Sequence, residues 1–364
     1  MSGRHSLTKF VLAFSAALAL PVFAQASTVQ YSLTILGLVQ HDYWETVFIP
    51  TSINDNGVVA GYAQVKVPHN KPLPVRGILW QSTTHYTVLG TISESGFDSE
   101  ATAINNSGIA VGYSTEHIGS GYFLRPVMFT PSGVVDLGVR NAEDGYATAI
   151  NNVSQVVGYL YFDTPVPAFE AFLYQNGLLT PLGYPVPTIG YSIAYAINDS
   201  GLIVGAAKFA LGDLPHPAGY VNGVWNDLGT LGTGTDFRGY ASSVNASGAI
   251  VGSWSDSVQT NPGVFLYQNG KIVDLKAPAG AGNGQASPVI NNAGQIIAGI
   301  FIYQDGVWQD IHNLMIPRGE WQISQATGIN NQGVITGIIY DGITRAGLFT
   351  PVNSSQEPED QIRK

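Results

Sequence analysis

Five short stretches of this sequence set aromatic side chains beside carboxylates or arginines. They are HDYWE (His41 to Glu45), SGFDSE (Ser95 to Glu100), NAEDGY (Asn141 to Tyr146), TDFRGY (Thr235 to Tyr240) and RGEWQ (Arg318 to Gln322). Such sets suit sugars, whose apolar faces stack on rings while their hydroxyls take hydrogen bonds. The candidates for binding a ligand are Tyr43, Trp44, Phe97, Asp98, Asp144, Phe237, Arg238, Glu320 and Trp321. A second chemistry is proton abstraction. His41, His69, His117 and His216 lie near Asp42, Glu116 and Asp213 in sequence, and a His, Tyr and Arg set could take a proton from an acidic sugar, as a polysaccharide lyase does. No spacing resembles HExxH, GxSxG or a phosphate loop, so no catalytic residue is assigned.

Another stretch, AINNSGIAVGYS (Ala103 to Ser114), has the residues of a ligand cradle, a cation loop or a nucleophile turn. It recurs seven times, anchored on Asn54, Asn105, Asn151, Asn198, Asn245, Asn291 and Asn330, at spacings of 51, 46, 47, 47, 46 and 39. A catalytic group is needed once, whereas this asparagine comes with every unit. Its expected role is therefore structural, with the side chain bonding the turn backbone. Asn105 to Gly108 fits a type I turn, with Asn at the first position and Gly at the fourth, where φ is positive. Ser154 stands where the other units have Gly, so its turn should be strained or longer. Calcium is rejected, because only Asp55 and Asp199 add carboxylates to these turns and a calcium loop needs several oxygen ligands together. No metal and no cofactor are expected.

The period of the repeat is that of propeller blades or helical arrays. Val, Ile, Tyr and Gly around each asparagine, with turns every six to ten residues, favour strands. Each unit holds four short candidates: one ending in the asparagine (A), one after its turn (B), an aromatic third (C) and a fourth near Leu-Gly (D). Asn176-Gly177, Asn222-Gly223, Asn269-Gly270 and Asp305-Gly306 mark the C-to-D hairpins. The sequence thus predicts an all-β fold over residues 27–352, a seven-bladed β-propeller of four-stranded blades. YSLTILG, Tyr31 to Gly37, reads as a D strand without A, B or C before it, and the last unit ends after C. The N-terminal strand should therefore close the ring against Ala346 to Thr350 and remove an exposed sheet edge.

The units YATAINNVSQVVGY and VWNDLGTLGTGTDFRGYASSVNASGAIVGS resemble the HAF-type extracellular repeat of secreted bacterial proteins, a D-L-G-x-L-G stretch followed by a Y-A-x-x-I-N-x-x-G-x-V-V-G hairpin. The full D-L-G-x-L-G form stands only at Asp227 to Gly232, with DLG alone at Asp136 to Gly138. The resemblance covers nearly all of the chain beyond its leader. It implies a secreted, propeller-like repeat protein and brings no activity, substrate or catalytic residue.

Residues 1–26 read as a signal peptide: Arg4 and Lys9, the apolar run Phe10 to Leu20, and the A-x-A site Ala24 to Ala26. A secreted or periplasmic location is expected, with no membrane span and a polar tail over residues 353–364. There is no cysteine, so stability must come from core burial. Loss of Arg4 and Lys9 takes the basic count from 15 to 13 against 25 acidic residues, a net charge of about −12, which argues against nucleic acid as a partner. The expected protein is a monomeric binding module for a glycan or an extracellular protein. In a propeller, function sits on loops that do not repeat. The long D-to-A and B-to-C loops share one face, and that face is the candidate. Tyr146 and Tyr240 occupy one repeat position, which suits packing between blades, whereas Trp44, Phe97 and Trp321 sit at irregular offsets.

Overall fold

The computed structural model describes residues 29–37, 39–40, 45–46, 48–65, 74–93, 97–163, 167–231, 236–256, 262–282 and 287–352. These residues form seven four-stranded antiparallel sheets, the blades of a seven-bladed β-propeller, and one short ribbon of Val39–Gln40 with Glu45–Thr46. Within a blade the chain runs outward from the inner strand A through B and C to D. Blade 4 is Ser192–Ile197, Ile203–Ala207, His216–Val221 and Val224–Asp227. Blade 5 is Arg238–Val244, Ile250–Ser255, Gly263–Gln268 and Lys271–Asp274. The inner strands of blades 1, 2, 3, 6 and 7 are Ile49–Ile53, Ser99–Ile104, Asp144–Ile150, Val289–Ile290 and Gln322–Ile329.

Blade 7 takes its outer strand from the other end of the chain. Gln30–Ile35 pairs with Thr344–Val352, from Gln30 opposite Val352 to Ile35 opposite Gly347, and Leu36 N–H donates to the Ala346 carbonyl. The core sits between blades rather than within them. One cluster joins Val204 and Leu228 of blade 4 to Ala241, Ile250 and Phe265 of blade 5, and another joins Ile78 and Trp80 of blade 1 to Ala346 of blade 7. Among the described residues no helix is long and apolar enough to cross a membrane.

Local chemistry sets the hairpins. Each A-to-B turn places its fourth residue at positive φ, Gly108 at 76° for example, and Ser154 takes the same left-handed conformation at 62° without lengthening its turn. The C-to-D pair Asn176-Gly177 has both residues at positive φ, 53° and 79°, as a type I′ turn requires. Strand A carries a bulge three residues before its asparagine, so the register skips Thr51, Thr102, Thr148, Tyr195, Ser242 and Thr327. The partner strand passes so close there that a Cβ at Gly112 would overlap the Glu100 carbonyl oxygen.

Candidate functional site

The inner strands surround an axial channel whose two ends differ chemically. At the end where strands A finish, the asparagines link into a closed ring. Each Nδ2 donates to the backbone carbonyl of the next blade's asparagine: Asn54 to Asn105, Asn105 to Asn151, Asn151 to Asn198, Asn198 to Asn245, Asn245 to Asn291, Asn291 to Asn330 and Asn330 to Asn54, at 2.9–3.2 Å. The same side chain closes its own turn, as when Asn105 Oδ1 accepts from Ser107 and Ile109 N–H at 3.1 and 3.0 Å. All seven are buried.

A second ring encircles the first, built from the residue after each asparagine. Its backbone N–H donates to the side chain of the equivalent residue in the next blade, Asn106 to Asn152 and Asn152 to Asp199 for example. Asp55 accepts from the backbone and side chain of Asn331 and from the Asn106 amide. Burial works against its ionisation, yet these hydrogen bonds hold its carboxyl below the usual value. Six of the seven links are present. The seventh, from Asp199 to blade 5, has no acceptor because that position is Ala246.

Inward of the asparagines lies a collar of β-branched side chains, Ile53, Ile104, Ile150, Ile197, Val244, Ile290 and Ile329. Beyond the collar the channel widens to a cavity of about 740 Å³ toward the face where strands A begin. Its wall carries the bulged hydroxyls, which also bind blades together: Thr51, Thr102 and Thr148 Oγ1 lie 2.8, 2.7 and 2.8 Å from the carbonyls of Ala101, Ala147 and Ala194 in the following blade. Ser242 Oγ lies 2.6 Å from the Pro288 carbonyl. Blades 4, 6 and 7 depart from this pattern: Tyr195 stands at the bulge of blade 4 with its ring in the channel wall, Pro288 takes the place in blade 6, and Thr327 Oγ1 pairs with Thr336 Oγ1 of its own blade at 2.9 Å.

Tyr195 lines this cavity with Tyr62, and further aromatic contacts run through blades 2 to 5 outside its wall. Tyr113 meets Tyr146 edge-on at 5.6 Å, Tyr146 stacks on Tyr159 at 4.9 Å, Tyr159 and Tyr191 both contact Phe169, and Tyr195 lies 5.7 Å from Tyr240. Burial raises the phenol pKa of Tyr113, Tyr146, Tyr159, Tyr191 and Tyr195, that of Tyr159 to about 12. At neutral pH these groups are hydroxyl donors and stacking faces rather than bases. Glu100, bonded to Tyr113, has its pKa raised by burial and, further, by neighbouring Asp98.

The residues singled out from the sequence fall in different places. Tyr43, Trp44, His41 and His69 lie outside the described residues. Asp98 and Asp144 both serve as latches between blades. Asp98 Oδ1 accepts from Val75 N–H while Arg76 reaches the Phe97 carbonyl, and Asp144 Oδ1 accepts from Leu124 N–H while Arg125 donates to the Glu143 carbonyl. Phe97 packs against Tyr122, and Phe237 is buried between His216 and Trp254. Trp321 is half-buried against His312 and Phe349, and Glu320 is exposed. Arg238 lines a smaller cavity beside the channel mouth. His117 stacks against Tyr122 at the rim, and His216 bonds Asp227 on the outer strand of blade 4.

The residues that shape the mouth were legible in one respect that strand reading passes over. Aligning the third residue before each asparagine gives Thr51, Thr102, Thr148, Tyr195, Ser242, Pro288 and Thr327, and the tyrosine is the aromatic exception.

No protein-family model and no curated protein matches the chain. Among solved structures it is similar to an acylaminoacyl peptidase of Pyrococcus horikoshii, with 11% identity and a TM-score of 0.48, covering 83% of this chain and 52% of that one. It is also similar to a putative TolB of Agrobacterium tumefaciens, with 11% identity and a TM-score of 0.39, covering 68% of this chain and 88% of that one. The chain spans about half the length of the peptidase.

Proposed function

We propose that this protein is a secreted or periplasmic binding module that takes a glycan, or failing that an extracellular protein, on the face where the inner strands begin. The observation that carries this reading is Tyr195, an aromatic ring in the wall of a hydroxyl-lined cavity and in contact with Tyr240. Stacking faces and neutral donors together are what sugar rings require. The opposite end has its amides committed in the asparagine ring behind an aliphatic collar, which leaves the open mouth as the receptive one. The HAF-type resemblance supports the extracellular setting. Proton abstraction finds no support among the buried tyrosines, because their phenols are shifted away from ionisation.

The test is a glycan array probed with the chain from residue 27 onward, beside Tyr195→Thr. That substitution restores the residue of blades 1, 2, 3 and 7, so the fold should be retained. Binding that falls at least tenfold in the variant, at unchanged or higher Tm, supports the reading. Binding indifferent to Tyr195 would move the site away from the mouth, and a silent array would leave a protein as the occupant.

A further inference from the structure

The axial cavity takes wall residues from all seven blades, from Ser52 of blade 1 to Gln325 of blade 7. Two features of that wall restrict what can enter. The first is its neutrality. Among the described residues no Asp, Glu, Lys, Arg or His lines the cavity, although the chain carries 15 basic and 25 acidic residues. A charged group entering it would give up hydration and find no counter-charge, and an unpaired charge is costly to bury. The excess of acidic residues adds a long-range repulsion of anions. A sugar hydroxyl meets neither obstacle. The Thr51, Thr102, Thr148 and Ser242 hydroxyls give their protons to backbone carbonyls and so keep lone pairs with which to accept from it.

The second feature is shape. The second residue before each asparagine lines the cavity in six blades and is small in five of them, as Ser52, Ala103, Ala149, Ala196 and Ser243, with Gly328 in blade 7 and Val289 in blade 6. Small side chains keep the space wide down to the aliphatic collar and the asparagine ring. A groove open at both ends takes the middle of a polymer, whereas a well with inner strands on every side takes its end.

Two rings stand in that wall three blades apart, Tyr62 of blade 1 and Tyr195 of blade 4. Tyr62 lies opposite Ile49 on the inner strand, and blades 4, 5 and 7 carry Ala206, Ser253 and Ile338 at the same position. The fold therefore does not demand a ring there. A chain end entering along the axis passes both tyrosines, and their faces suit a pyranose.

We propose that the axial cavity receives the end of a neutral glycan chain, with Tyr62 and Tyr195 as its stacking faces, and turns away uronates, amino sugars and chain interiors. The assignment rests on the glycan reading above and names the class of glycan and the part of it that binds.

Calorimetric titration of the chain from residue 27 onward compares neutral oligomers of glucose, galactose, mannose and xylose with an oligogalacturonate and a chitosan oligomer. The tightest binder should be neutral and about tenfold or more ahead of either charged oligomer. Titrated with the long polymer of that same sugar, the protein should saturate at one molecule per polymer chain, whereas a site for chain interiors would load many. Tyr62→Ile introduces the residue of blade 7 and should weaken neutral binding about tenfold at unchanged Tm, the loss of one stacking face. Ala149→Val gives blade 3 the residue of blade 6 and leaves both rings in place, and it should weaken binding by narrowing the cavity. A charged oligomer bound as tightly as any neutral one, many proteins per polymer chain, or unchanged binding in Tyr62→Ile or Ala149→Val would overturn end-on entry while leaving the wider glycan reading standing. Binding of no saccharide at all would overturn both.

Discussion

Asn198 tests whether the asparagine ring binds the blades together or merely shapes their turns. Its Nδ2 donates to the Asn245 carbonyl at 3.0 Å, and its Oδ1 accepts from Ser200 N–H, Ser200 Oγ and Leu202 N–H at 3.1, 2.7 and 3.0 Å. Asn198→Ala removes all four bonds at a buried site. At a net value of about 1 kcal/mol for each, with three sharing one oxygen, the loss should be about 3 kcal/mol. For a domain of this size that is a fall in Tm of about 4 °C. Asn198→Asp separates the two roles, because it keeps the turn-closing oxygen but sets a second oxygen against the Asn245 carbonyl. At pH 7 it should cost at least as much as the alanine variant. Burial beside a carbonyl raises the folded pKa of the introduced carboxyl above the unfolded value of about 3.9, so the folded state holds the proton more tightly. The variant should then recover stability as pH falls through that folded pKa, when the protonated carboxyl donates in place of the amide. Denaturant unfolding followed by tryptophan fluorescence at pH 7 and pH 4 reads both effects. If Asn198→Asp matches the wild type at pH 7, the bond between blades contributes nothing and the reasoning fails.

Ala246→Asn should supply the missing acceptor for Asp199 N–H in the outer ring and stabilise the protein by up to about 1 kcal/mol, read as a small rise in Tm; a lower Tm would show that the exposed position cannot take the side chain. Deleting residues 29–36 removes the strand paired with Thr344–Val352 and exposes a sheet edge, so size-exclusion chromatography should show self-association together with a fall in Tm, and an unchanged monomer would refute closure by that strand. The hydrogen bond to Asp227 raises the pKa of His216 above its ordinary 6.5, while that of Asp227 is held below 3.8 against the opposing effect of burial. The pair therefore stabilises most between those values and fades as pH rises through the folded histidine pKa, so His216→Gln should lower Tm more at pH 5.5 than at pH 8.5, and equal losses would assign its role to packing.

The repeat, the four strands of each unit and the strand that closes the ring were legible because each is written in local pattern: alternation, turn residues, and units incomplete at the two ends. The half of each asparagine that closes its own turn was legible for the same reason. Its Nδ2 was not, since Asn105 finds its acceptor 46 residues away, at a distance set by the curvature of the ring and by nothing within one unit. Asp98 and Asp144 looked like ligand groups because a carboxylate beside an aromatic in a loop suits a sugar equally well. Only the blade packing shows their oxygens accepting backbone N–H groups of the preceding blade. Phe237 lies near Arg238 in sequence but turns inward to Trp254, and no spacing rule fixes which of two loop neighbours faces the core.

A sevenfold ring presents seven equivalent junctions, and a ligand bound in one orientation needs that equivalence broken. The inner ring of asparagines keeps it intact at every junction. The other two sets of links do not. Between blades 4 and 5 the bulge hydroxyl is replaced by Tyr195 and the outer-ring side chain by Ala246. The outer ring is complete elsewhere, so this is the junction that lacks both. The same junction holds the buried Trp254, packed with Val204 and Leu228 of blade 4, and the cavity with Arg238 in its wall. A junction relieved of two links can open at lower cost than its neighbours, and Arg238 and the Tyr195–Tyr240 pair stand beside it. The departures from the repeat therefore weaken the scaffold at the point where the surface gains its chemistry.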